Sequence, residues 1–177
     1  MKVSETISST LLITELERLD PVRVITENYE PGKGRITITC FGKAWTAAWF
    51  AMSGDSVQKF FTRVSNDYLI GYLAPGMNAT VDAGDDENVE FVKSEICKLR
   101  RSNEINSTEA RDMWHAAESS EDVKYDCCSW SGGSVLLDLL GDDPYYAKWP
   151  TVPNHEYRHL ERILDAVRQA FLQEGGK

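Results

Sequence analysis

The stretch RITITCFGKAWTAAW, residues 35–49, holds two apolar alternations separated by a glycine-containing turn. A period of two places successive side chains on opposite faces of a strand, so the stretch predicts a β-hairpin. Type II′ turns favour glycine at their first central position, which assigns the turn to Gly42 and Lys43 and sets Phe41 opposite Ala44 and Cys40 opposite Trp45. Ile36, Ile38, Cys40, Trp45, Ala47 and Trp49 then share one apolar face, and Arg35, Thr37, Thr39, Thr46 and Ala48 form a mixed one. Upstream, Glu30, Pro31, Gly32, Lys33 and Gly34 make a loop that brings a third strand alongside, with Val22, Val24 and Thr26 on the apolar side. Pro21 to Phe50 is therefore expected to be a three-stranded antiparallel meander with one buried face.

Beyond the meander the period becomes helical. Val57, Phe60, Phe61 and Val64 follow a cap at Asp55 or Ser56, and Tyr68 to Leu73 predict a short helix stopped by Ala74, Pro75 and Gly76. Another helix starts near Asp85 or Asp86, where Val89, Val92, Ile96 and Leu99 recur at steps of three and four. Its acids fall at the positive end of the helix dipole, and Lys98, Arg100 and Arg101 at the negative end. Ser107 to Ser119 predict a helix around Met113 and Trp114, and Val135 to Leu140 a short one entered through Ser131, Gly132, Gly133 and Ser134. The last helix, about Asn154 to Gln173, carries the clearest periodic pattern. With no repeat, low-complexity tract or linker, residues 1–177 read as a single α+β domain in which the N-terminal meander packs against several helices, the longest at the C-terminus.

With 42% hydrophobic residues in 177, the chain can bury a core without disulfide or metal staples. Its longest nearly apolar run, Ala44 to Met52, is far short of the ~20 residues of a membrane helix, and Met1 to Thr10 is polar, so neither a membrane span nor an export signal is expected. Cys40, Cys97, Cys127 and Cys128 lack C-x-x-C spacing, which fits a reducing cytoplasm. The net charge of −9 is unevenly spread. Residues 1–81 carry eight charges of each sign, residues 82–126 thirteen acids against six bases, and residues 127–177 seven against five. Such a field opposes direct contact with nucleic acid or anionic membranes and favours a basic protein surface. A solvated, solubilising face is the plainer explanation.

One short motif carries recognisable chemistry. His155, Glu156, Tyr157, Arg158 and His159 spell H-E-x-x-H, in which two histidines one turn apart can bind zinc and the glutamate can take a proton from metal-bound water. At about 100° per residue, Tyr157, Leu164, Val167 and Phe171 lie within about 60° of Leu160 and form the core stripe, whereas His155 and His159 lie roughly 220° and 260° round the helix. The histidines thus point away from the core. No glycine bend follows to deliver a third ligand, because Arg162 and Asp165 continue the same helix. Asn154 as helix cap and Glu156 as first-turn acid account for the string without metal.

Weaker signals are weighed in the same way. Cys127 and Cys128 with either histidine have no spacing that zinc modules share, and the Ser131–Ser134 loop lacks the lysine of a phosphate-binding loop. Asp82, Asp85, Asp86 and Glu87 lack the alternating ligands and central glycine of a calcium loop. Trp45, Trp49 and Trp114 fit the core, which leaves Trp130 and Trp149 as surface candidates for contact. No cofactor is expected and no catalytic constellation is complete.

The run Leu16, Glu17, Arg18, Leu19, Asp20, Pro21, Val22, Arg23, Val24, with Gly34 to Ile38, Gly42 to Ala47, and Leu139, Leu140, Gly141 and Asp142, resembles a family of small uncharacterised proteins encoded by bacteriophages and prophages. The resemblance implies a protein acting inside an infected bacterium, in its cytoplasm, by binding a host protein. The leading expectation is a non-enzymatic accessory protein that modulates or inhibits a host partner with a basic surface, such as a nucleic-acid-handling or defence enzyme. Glu87, Glu90, Glu109 and Asp112, together with Trp130 and Trp149, are the candidate contacts. A DNA-mimic version of this expectation is limited by Lys93, Lys98, Arg100 and Arg101, which interrupt the acidic row. The rivals are a zinc-dependent hydrolase using His155, Glu156 and His159, and a structural or virion-associated interaction protein.

Overall fold

The computed structural model describes residue 3, residues 7–129 and residues 133–175. In chain order its elements are β1 (Ser9–Ile13), β2 (Val22–Glu30), β3 (Lys33–Cys40), β4 (Lys43–Trp49), α1 (Val57–Arg63), α2 (Asn66–Leu73), β5 (Thr80–Asp82), α3 (Asp85–Ser102), α4 (Ser107–Ser119), α5 (Val123–Cys128), β6 (Thr151–Pro153) and α6 (His155–Gly175), with one 3-10 turn at Pro144–Tyr146. Contacts divide the chain into two compact units, residues 1–79 with 154–177 and residues 80–153.

In the first unit the antiparallel sheet runs β1-β2-β3-β4, so the expected meander gains a fourth strand. β1 pairs with β2 from Ser9 opposite Thr26 to Ile13 opposite Val22. It is a five-residue edge strand with Leu12 exposed and only Leu11 and Ile13 turned to the core, too short an alternation to stand out in sequence. The β3–β4 turn also needs correction. Cys40 pairs with Lys43 and Ile38 with Trp45, so the turn residues are Phe41 and Gly42, both at positive φ (45° and 76°) as a type I′ turn requires. Phenylalanine rarely adopts that conformation, which is why residue preference pointed elsewhere. The pairing is displaced by two residues from the expected one. Because strand side chains alternate with a period of two, each stays on its expected face.

That face is the core. Val22, Val24, Ile36 and Ile38 are fully buried beneath Phe61 of α1, Leu69 and Ile70 of α2, and Leu160, Ile163 and Leu164 of α6. Trp49 is buried with them, whereas Trp45 is only half-buried. A polar strap fixes α1 to the sheet: Asn28 Oδ1 accepts from the Val57 N–H at 2.7 Å, and Gln58 Nε2 donates to the buried Thr26 Oγ1 at 2.9 Å. Tyr157 donates to Asp67 at 3.1 Å, and Arg168 to the Val64 carbonyl at 2.9 Å, tying α6 to α2 and to the end of α1.

Gly34 marks the closest approach of sheet and helix. A Cβ there would lie 2.4 Å from both the Glu27 carbonyl oxygen and Val57 Cγ2. One neighbour is paired backbone and cannot yield cheaply, so Gly34→Ala is expected to cost about 1–3 kcal/mol by overpacking. Urea denaturation checks this directly, and an unchanged midpoint would contradict the crowding.

The second unit packs α3, α4 and α5 around Val92, Ile96, Ala117, Val123, Cys127, Leu136 and Leu139. Its two ends are joined by β5 and β6, three-residue strands paired from Thr80 opposite Pro153 to Asp82 opposite Thr151. α3 stops at Asn103, whose left-handed φ of 61° turns the chain, and α4 opens on a capping box in which Asn106 Oδ1 accepts from the Glu109 N–H and Glu109 accepts from the Asn106 N–H. Val135 to Leu140 does not form the expected helix. It makes successive turns, with Leu137 N–H donating to Ser134 and Leu139 N–H to Leu136, both across three residues. The six residues lie between Gly133 and Gly141, both at positive φ, leaving too little chain to propagate a helix.

Candidate functional site

α6 places the H-E-x-x-H string as its helical period requires. Asn154 caps the helix, accepting from the Glu156 N–H at 3.0 Å and the Tyr157 N–H at 3.4 Å. Tyr157, Leu160, Leu164, Val167 and Phe171 are buried, while His155 is exposed and His159 half-buried on the outer side. Glu156 is committed elsewhere: its carboxylate receives a 2.5 Å hydrogen bond from Lys43, which lowers its pKa and weakens it as a proton acceptor. His159 Nδ1 lies 3.3 Å from Arg162, and Asp165 accepts from Asn66 at 2.9 Å and from Arg168 at 3.0 Å. Asp165, the next acid along this face of the helix, is thus already paired. Among the described residues no group of three His, Cys, Asp or Glu side chains could hold a metal ion, which argues against the hydrolase reading.

The cysteines offer no activated nucleophile by the same geometry. All four are free thiols. Burial raises the pKa of Cys40, whose Sγ donates to the Asp20 carbonyl, and that of Cys128. Cys127 is fully buried, and desolvation first, then the neighbouring Cys128 and Asp126, pushes its thiol up to about 12.

In the second unit Glu87, Glu90, Glu109 and Asp112 are all exposed, as the helical pattern expects. Their surroundings differ. Glu109 closes the α4 capping box and Glu90 pairs with Lys93 at 3.3 Å, whereas Glu87 and Asp112 make no ion pair among the described residues. Lys93 does not stand on the outer row where the sequence placed it. Its side chain is only 14% exposed, and its ammonium lies 3.2 Å from Glu118 and 4.9 Å from the centre of the Trp114 ring, while the Trp114 Nε1–H donates to Glu118 at 3.0 Å. Together Lys93 and Glu118 clamp a half-buried Trp114 that sequence assigned to the core. Asp82 likewise pairs with Lys124 at 2.8 Å, which leaves the first-turn acids of α3 to complement its dipole.

Trp149 is half-buried against Phe91, its Nε1–H donating to the Pro144 carbonyl at 2.8 Å. Trp130, Ser131 and Gly132 lie outside the described residues. Sequence reading missed a groove between α3 and α4, floored by Ile96, Cys97, Ala110 and Trp114 and bordered by Arg100, Arg101 and Arg111. The arginines were legible only as charges along two separate helices. Their convergence is a product of the α3–α4 turn.

Comparison with known proteins places the chain. It matches the phage family Phage_phiTE_072 over residues 1–173, and it belongs to that family. No curated protein matches it. No solved structure matches it. Among the described residues no helix is long and apolar enough to cross a membrane.

Proposed function

We propose that this member of a phage family is an accessory protein that binds a bacterial host protein and modulates or inhibits it, working in the cytoplasm of the infected cell. One observation carries the reading: the net charge falls wholly on one of the two units. Residues 80–153 hold 16 acidic and 7 basic side chains, a net of −9, whereas residues 1–79 with 154–177 hold 12 of each. A solubilising charge has no reason to respect a boundary between folded units, and a contact surface does. A field of this sign steers encounter with a basic surface, such as the groove of a nucleic-acid-handling or defence enzyme, and repels nucleic acid itself.

Glu87 and Asp112 are the foremost contacts, since neither is engaged in an ion pair among the described residues, and Glu90, Glu109 and the half-buried Trp149 lie in the same unit. Capture from a bacterial lysate at low and high salt tests the proposal. A host protein retained at low salt and released at high salt is the expected result. Retention of no host protein at either salt contradicts it.

A further inference from the structure

The α3–α4 groove reverses the character of the unit that contains it. Its volume is about 450 Å³, its floor is apolar, and three arginines meet at its border in a unit whose net charge is −9. None of the three has an ion pair or side-chain hydrogen bond among the described residues, whereas Lys93, Lys98 and Lys124 of the same unit are all paired with acids. Arg100 and Arg101 complement the negative end of α3, whereas Arg111 stands in the second turn of α4, where the helix dipole gives a cation no support. Trp114, held by Glu118 and Lys93, gives the groove a fixed aromatic wall. Such a site fits a segment that presents carboxylates beside apolar rings.

The chain carries such a segment. Asp142 and Asp143 are exposed and without ion pairs among the described residues, and Tyr145 and Tyr146 are 71% and 86% exposed. The segment is preorganised: Tyr146 N–H donates to the Asp143 carbonyl at 3.1 Å, and the Trp149 indole holds the Pro144 carbonyl. These residues do not line the groove of their own copy. We propose that the α3–α4 groove of one copy receives the Asp142–Tyr146 segment of a second copy, the arginines taking the two carboxylates and the apolar floor taking the tyrosine rings. This contact is independent of the host-protein reading and stands or falls separately.

Sedimentation velocity of the full chain, from low micromolar to several hundred micromolar, is the test. Wild type is expected to self-associate with rising concentration. Arg100→Gln/Arg101→Gln/Arg111→Gln and Tyr145→Ser/Tyr146→Ser, both confined to exposed side chains, should each weaken association by about tenfold or more. The contact joins two different patches, so mixing the two variants pairs one intact groove with one intact segment and restores association. Circular dichroism melts confirm that both variants stay folded. Wild type that remains monomeric throughout, or a mixture that associates no better than either variant alone, would overturn the proposal.

Discussion

Phe61→Ala is expected to cost about 3–5 kcal/mol of stability. The ring is fully buried at the centre of the first unit and meets Phe171 of α6 edge-on, with centroids 5.6 Å apart and planes at 87°. Truncation removes the transfer free energy of the ring and leaves a cavity between sheet and helices. Strands β2 and β3 and helices α1 and α6 are already braced by paired backbone and by the Asn28 and Arg168 hydrogen bonds, so little can collapse into the gap. Against a total stability of ordinarily about 5–15 kcal/mol the loss is severe. Leu172→Ala, one residue beyond Phe171 and 61% exposed, should change stability by no more than about 0.5 kcal/mol. Denaturant titration of both variants checks the pair.

The second large effect appears only in alkali. Cys127 has its thiol pushed up to about 12 in the folded chain, from an ordinary value near 9. Between those values the unfolded chain releases the proton while the folded chain keeps it, so the native state binds more protons and stability falls as pH rises. The contribution is complete below about pH 9 and is lost progressively toward pH 12, in total on the order of 4 kcal/mol. Tyr68, Tyr157 and Lys93 are also raised from their ordinary values, so wild type must be compared with Cys127→Ala to isolate the thiol. The variant should be less stable at neutral pH, from its small cavity, and the two stability curves should converge between pH 9 and pH 11. Parallel curves would show that Cys127 ionises without a folded-state penalty.

How far the sequence could be read depended on how much chain each element repeats its period over. α6 shows its buried stripe through five apolar positions over four turns, and the same wheel turned His155 and His159 outward. The meander was legible because β2, β3 and β4 alternate over seven to nine residues each. β1, with five residues at an edge, β5 and β6, with three each, and α5, with six, are shorter than the patterns that would reveal them. The turn at Phe41 and Gly42 was misplaced because the fold imposes a positive φ on a phenylalanine, and the buried face survived because the displacement was even.

The proposed contact surface was legible in part. Its acids could be counted, and their clustering in residues 82–126 anticipated the charge of the second unit. What went unread was which acids are already used: Glu109 in a cap, Glu90 and Glu118 on Lys93, Asp82 on Lys124. The Glu109 cap and the Glu90–Lys93 pair follow local spacings of three residues, whereas the Lys93–Glu118 and Asp82–Lys124 pairings join separate elements, and no period along the chain encodes them. The α3–α4 groove escaped for the same reason.

The decisive measurement for the proposed contact is the affinity of the captured host protein for wild type and for the variant Glu87→Gln/Glu90→Gln/Glu109→Gln/Asp112→Asn, followed across a salt series. Glutamine at position 109 can still accept from the Asn106 N–H, so α4 keeps its cap. The account predicts affinity at least about tenfold weaker at low salt and a flatter salt dependence, with the largest share lost at Glu87 and Asp112. Affinity and salt dependence equal to those of wild type would contradict it.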